Sequence, residues 1–265
     1  MSGPMTHRRV VALATTALTG LLAVGVPQSP AAAADYYAGT SGKSGEALKD
    51  ALHDIIATHV TTLSYEQVWK ALGETDRDPA KPQNVITLYT GASMPWSQHG
   101  SATTQWNREH VWAKSHGAFG IARGAGTDLH HLRPEKVPIN SERSNKDFDD
   151  GGPLAETAPG NHTDSDSWEP GDAVKGDVAR MIFYMAVRYE GGDGGPDLEV
   201  DDATSRDKKP RIGRLSALLE WNAEDPPDHF ERNRNEVIFS RYQHNRNPFI
   251  DHPEWVDSIF ETARR

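Results

Sequence analysis

The sequence predicts an α+β fold: a mixed, largely helical single domain. Apolar residues recur at helical spacing in several long stretches, whereas β-rich alternation is confined to short runs. Once an N-terminal leader is set aside, about 231 residues remain, with no internal repeat and no linker long enough to divide them. The chain contains no cysteine, so its core must form without disulfides, which a domain of this size can do.

Residues 1–34 have the order of a secretory signal. A basic start ends at Arg8 and Arg9, an uncharged apolar run covers residues 10–26, Pro27 and Pro30 break it, and four alanines end at Ala34. A membrane anchor is the alternative, but about 17 residues lies at the bottom of the spanning range. Cleavage after Ala34 would leave residues 35–265 as a secreted, extracellular protein with no membrane segment, expected to be a monomer.

Residues 44–60 read as an amphipathic helix, with Leu48, Leu52, Ile55, Ile56 and Val60 along one face. A second helix is expected over residues 65–72, with Ser64 and Gln67 as a capping box and Gly73 as its stop. Residues 85–90 and 105–112 read as strands. Residues 113–140 show no period and are expected to be irregular, until a helix of about two turns begins near Pro138. Residues 147–172 and 191–202 are acidic loops, the second with a weak calcium-like pattern that lacks EF-hand spacing. The strongest helix lies at 172–189, where Val174, Val178, Met181, Ile182, Met185 and Tyr189 share a face; further helices are expected over 215–222 and 227–239.

Without the leader, 26 basic residues face 38 acidic ones, which gives −12 and excludes bulk-charge binding to nucleic acid. Residues 101–147 differ: seven basic and five acidic side chains make them +2. Three runs lie in that window: Asn107-Arg108-Glu109-His110-Val111-Trp112, Asp128-Leu129-His130-His131-Leu132 and Asn140-Ser141-Glu142-Arg143-Ser144-Asn145. Hydrolysis of a phosphodiester needs an activated water and neutralisation of charge on the phosphoryl and leaving oxygens. A histidine near neutrality suits the first need, and a hard cation on carboxylate and amide oxygens suits the second. Arginine recognises phosphate through its planar fork.

With Gly176-Asp177-Val178-Ala179-Arg180 and residues 245–254 (NRNPFIDHPE), these runs resemble the bacterial endonuclease I family of secreted and periplasmic nucleases, within the ββα-metal or His-Me finger superfamily. The resemblance implies that the domain is built around a ββα-metal finger. It implies His110 as general base and Glu109 and Asn140 as ligands of magnesium, with manganese or calcium as other cations. DNA is the implied substrate, RNA a second one, with little sequence specificity and 5′-phosphate products. The family's usual proline after the tryptophan is Ala113 here.

Among arginines, Arg143 is the first choice for phosphate, one helical turn beyond Asn140; Arg108, Arg133, His131 and Lys146 are further substrate-binding candidates. Asn140 as a helix cap is the simpler alternative. His130 and His131 could be structural, and Asp128 could orient a histidine ring or anchor a turn. Since neighbours on a strand face opposite ways, Glu109 and His110 can serve one phosphate only if the strand ends, twists or bulges there. A secreted metallopeptidase is disfavoured because no His-Glu-x-x-His occurs. The other reading is a non-catalytic secreted nucleic-acid-binding module, which has no use for a Glu-His pair.

Overall fold

A computed structural model describes Met1 and residues 36–261; the expected leader lies outside the described residues. The chain forms a single α+β domain, about 41% helix and 14% strand, with small sheets and no barrel. Helices α1 (Glu46–Ala57) and α2 (Tyr65–Thr75) lead into a short hairpin of β1 (Asn84–Ile86) and β2 (Ser93–Pro95). Strands β3 (Trp106–His110) and β4 (Leu132–Lys136) pair antiparallel, and α3 (Val137–Arg143) follows β4 directly. The remaining helices are α4 (Lys175–Arg188), α5 (Leu215–Glu224), α6 (His229–Val237) and α7 (Pro248–Asp251).

Local chemistry explains most of these boundaries. Ser64 caps α2 as expected: its Oγ accepts from Gln67 N (3.3 Å), and Ser64 N donates to Gln67 Oε1 (2.7 Å). Gly73 does not stop the helix, which runs on to Thr75. A Cβ there would come within 2.4 Å of the Trp96 indole, so this glycine makes room for a ring rather than ending a helix. Helix α3 starts with Pro138 in its first turn, as the sequence suggests.

Two expectations fail for tertiary reasons. Residues 132–136, expected to be irregular, form β4 despite Pro134. In this two-stranded ladder every strand is an edge, so the missing N–H is tolerated, and the Pro134 carbonyl still accepts from Leu88 N (3.0 Å). Residues 147–172, expected to be a loop, contain a three-stranded sheet of two- and three-residue strands, too short to show a period.

Helix α4 was expected to be amphipathic, yet all fourteen of its residues are buried. Its charges are paired inside: Arg180 holds Glu231 of α6 through Nε (2.9 Å) and Nη2 (2.5 Å), and Lys175 holds Glu169 (2.9 Å). Gly176 lies so close to the Asp225 carbonyl that a Cβ would stand 1.9 Å from it. One apolar cluster surrounds α4 and reaches Val111, Trp112, Ile139 and Phe148; a smaller one joins α2 to Trp106, Leu129 and Leu132. The β3–β4–α3 unit therefore spans both clusters, which fixes its position. No helix of the described residues is long and apolar enough to cross a membrane.

Candidate active site

The exposed side of the β3–β4–α3 unit floors a cleft of about 710 Å³. Asn107, Arg108, Glu109 and His110 of β3 line it, with Asn140 of α3 and Ser144 and Asn145 just beyond it. Tyr65 and Trp69 of α2 form one wall; Lys114 and Lys208 contribute cations. The structure thus brings Arg108, Glu109, His110 and Asn140 together across 33 residues of sequence.

Glu109 and His110 face the same cleft because β3 ends at His110, where the chain bends away through Val111 and Trp112. Up to that point the ladder is regular, with Glu109 opposite Arg133 and His110 opposite Leu132. The strand terminus thereby supplies the irregularity that the alternation rule demands.

His110 Nε2 lies 3.2 Å from the Gly126 carbonyl. A carbonyl can only accept, so Nε2 carries the proton and Nδ1 keeps its lone pair. Burial holds the imidazole well below its ordinary pKa, and His131, Lys114 and Arg108 act in the same direction, so the ring is neutral at pH 7. The Gly126 backbone is itself confined: a Cβ there would lie 2.7 Å from the Gly120 carbonyl.

Glu109 is buried and held through a single oxygen. Its Oε1 accepts from Tyr89 Oη (2.8 Å) and Arg143 Nη1 (3.1 Å), while Oε2 makes no hydrogen bond within the protein. Burial raises its pKa, and Arg143 and Tyr89 oppose that rise. Asn140 donates from Nδ2 to Asn107 Oδ1 (2.8 Å), which leaves its Oδ1 as the outward oxygen. It does not cap the helix; Lys136 occupies the N-cap, and no side chain bonds there.

Four of the candidate substrate contacts are placed elsewhere. Arg143 is fully buried behind the cleft, with Nη1 on the His110 carbonyl (2.8 Å), Nη2 on the Val111 carbonyl (2.7 Å) and its guanidinium 4.6 Å from the Phe148 ring centre. Its one-turn offset from Asn140 points it inward, away from the cleft. Arg133 is buried between Asp76 (2.5 Å) and Asp177 (3.3 Å). His131 is buried with Nε2 on the Ala125 carbonyl (2.8 Å), beside the turn that holds His110. Lys146 is spent on Thr163 Oγ1 (2.6 Å) and does not line the cleft.

Arg108 remains as a cleft cation. Its guanidinium is sandwiched between the rings of Tyr65 (3.4 Å) and Trp69 (3.7 Å), Nη1 donates to the Tyr65 carbonyl (2.5 Å), and the buried Nε has no partner. Asp128 is an anchor: its carboxylate accepts from Tyr184 Oη, Tyr189 Oη (both 2.9 Å) and Gln243 Nε2 (2.9 Å). It bonds the His130 backbone rather than a histidine ring. His130 Nε2 lies 3.2 Å from the Asn245 carbonyl, in the interior.

Sequence reasoning missed Tyr65, Trp69, Lys114 and Lys208. The first two read only as part of a helix, and Lys208 lies in a short basic run over residues 206–214 that falls outside the 101–147 window.

Residues 44–254 match the family model described as Endonuclease I. The chain is 64% identical over 225 residues to an extracellular ribonuclease of Bacillus amyloliquefaciens, an overlap that covers 85% of this chain and 78% of that protein. It is 59% identical over 241 residues to an extracellular ribonuclease of Bacillus subtilis (strain 168), covering 91% and 83% of the two chains.

Proposed function

The chain belongs to the endonuclease I family, and from that premise we propose that it is a divalent-metal-dependent endonuclease cutting RNA and DNA by direct attack of water on the phosphodiester. It is an extracellular nuclease. Residues 1–34 serve as its removable leader, and every cleft residue named above comes from one chain, as a monomeric enzyme requires.

One observation carries this reading. The imidazole of His110 is fixed as the Nε2–H tautomer by the Gly126 carbonyl, within a cleft that it shares with the unpaired Glu109 Oε2 and Asn140 Oδ1. A neutral histidine with a fixed proton and a free lone pair is a general base. The two oxygens fit a hard cation such as Mg²⁺, which takes few protein ligands and completes its shell with water and substrate phosphate. When bound, such a cation supplies positive charge to the phosphoryl oxygens and the departing alkoxide. Nδ1 of His110 takes a proton from the attacking water as its oxygen bonds to phosphorus. The P–O3′ bond breaks in line, leaving a 5′-phosphate and a 3′-alkoxide, which takes a proton from solvent to become the 3′-hydroxyl. Arg108, held flat by its two rings, and Lys114 orient the phosphate from the cleft wall. Contacts of this kind run to the phosphate, which carries no direct sequence information, so specificity is low.

The names of the two relatives support RNA as a substrate. The chemistry extends to DNA because the nucleophile is water and not the 2′-hydroxyl. We expect end-labelled RNA and DNA oligonucleotides both to be cut in Mg²⁺ and spared in chelator, with 5′-phosphate ends. Cyclic 2′,3′-phosphate ends, or resistance of every 2′-deoxy substrate, would defeat the mechanism.

Glu109→Ala and Asn140→Ala should each shift the Mg²⁺ titration midpoint to higher concentration, by at least the roughly ten-fold that loss of an outer-shell partner already costs, with part of the lost activity restored by excess metal. Unchanged midpoints in both variants would exclude them as ligands.

A further inference from the structure

Beside the cleft, five flat side chains lie in sequence: Tyr65, Arg108, Trp69, His99 and Trp96. Arg108 sits 3.4 Å from the Tyr65 ring centre and 3.7 Å from that of Trp69. The His99 ring follows at 4.6 Å from Trp69, and Trp96 at 5.2 Å from His99. At the inner end the Tyr65 ring stacks near His110, with centres 6.0 Å apart. At the outer end Trp96 is 39% exposed; among the described residues, it is the one aromatic in the exposed large hydrophobic set.

Trp96 is not a loosely held side chain. Its indole N–H donates to the Trp69 carbonyl (3.1 Å), its backbone N–H to the Gln83 carbonyl (2.8 Å), and the ring occupies the space that the missing Gly73 Cβ leaves open. An indole pinned this way offers apolar surface to solvent with little rotamer freedom left to lose on binding. It also borders a second, shallower pocket of about 280 Å³, whose lining includes Lys70 and Arg77. Cations therefore occur along the whole path, from Lys208, Lys114 and Arg108 in the cleft to Lys70 and Arg77 beyond Trp96.

Basic groups that track a phosphate backbone, beside aromatic plates on which bases stack, make up the pattern by which proteins hold single strands. A duplex cannot use the plates, because its base faces are already stacked on one another. Accepting that the cleft cuts phosphodiesters, we propose that the exposed Trp96 indole, held at the outer end of the Trp69–His99 stack, is a nucleobase-stacking platform that makes single-stranded nucleic acid the preferred substrate class. It engages bases on one side of the scissile phosphate, and it is indifferent to their identity because every base has a π-face.

The test measures binding of decathymidylate and of a ten-base-pair duplex by tryptophan fluorescence, in the non-cleaving His110→Ala protein. Adding Trp96→Ala should weaken decathymidylate by at least about five-fold, within the roughly five- to 150-fold range for one stacked base, and leave the duplex within about two-fold. Trp96→Phe should restore most of the loss, and His99→Ala should show a smaller loss in the same direction. If Trp96→Ala lowers the melting temperature, the Trp96→Phe and His99→Ala pair decides, since neither empties the space over Gly73. Equal losses on duplex and single strand, or no loss on either, would overturn the platform. Hydrolysis of the same oligonucleotide by the unmutated enzyme is scored separately. Its absence would count against the nuclease reading, whereas intact hydrolysis with unshifted affinity would sink the platform alone.

Discussion

His110→Ala is expected to lower kcat by about a hundred- to ten-thousand-fold while changing oligonucleotide affinity only a few-fold. The reason lies in the geometry of the ring. Nε2 is spent on the Gly126 carbonyl, so the ring offers the cleft a lone pair and not a proton. Such a group can accept from water in the transition state but gives little to the bound substrate, whose phosphate finds Arg108, Lys114 and Lys208 instead. Losing it therefore falls on kcat and not on Kd. Single-turnover cleavage with excess enzyme isolates this step from product release. A His110→Ala enzyme that keeps more than about a tenth of the wild-type rate would show that water is activated by another group. Loss of affinity in proportion to loss of rate would show that His110 binds phosphate rather than moving a proton.

The parts of the fold that could be read from sequence are those set by local rules. The Ser64–Gln67 box, the proline-led start of α3 and the long apolar periodicity of α4 each depend on residues within one or two turns. Strand β4 could not be read this way, because Arg133, Pro134 and Glu135 look like loop until Asp76, Asp177 and the Tyr89 backbone are folded against them. Glu135 is so well buried that its pKa is pushed up to about 8. The same limit divides the site. That Glu109, His110 and Asn140 would share one cleft was legible, because their residue types recur in one short window of sequence.

The inward placement of Arg133 and Arg143 was not legible, because spacing along a strand or helix says which residues share a face, and not which face is buried. A +2 segment suggested a basic surface over residues 101–147, but Arg133 and Arg143, two of its cations, serve the interior. The cations of the cleft and its outer pocket include Lys70, Arg77 and Lys208, all outside that segment. The aromatic wall was invisible for a related reason. Tyr65 and Trp69 meet Arg108 only because α2 packs beside β3, and no local motif joins them.

The largest effect on stability is expected from Arg143→Met. Arg143 binds the His110 and Val111 carbonyls and the Glu109 carboxylate at the end of β3, so it holds both cleft residues from behind. Methionine would fill much of the space but leave two carbonyls unpaired and the Glu109 charge buried without its counter-ion. Breaking a buried pair by removing one partner costs about 3–5 kcal/mol, which for a domain of this size lowers Tm by roughly 6–20 °C. The burial that already raises the Glu109 pKa would then act with less opposition, since the Arg143 charge that lowers it is gone. Glu109→Gln in the same protein removes the stranded charge, so the double variant should regain a good part of the lost stability while remaining inactive. A phosphate-clamping Arg143 would behave in the opposite way, with Tm nearly unchanged and oligonucleotide affinity weakened. Thermal melts of Arg143→Met, Glu109→Gln and the double variant, paired with affinity in the His110→Ala background, separate the two roles. A melt of Arg143→Met within about 2 °C of wild type would mean that the side chain is not the internal strut its contacts describe.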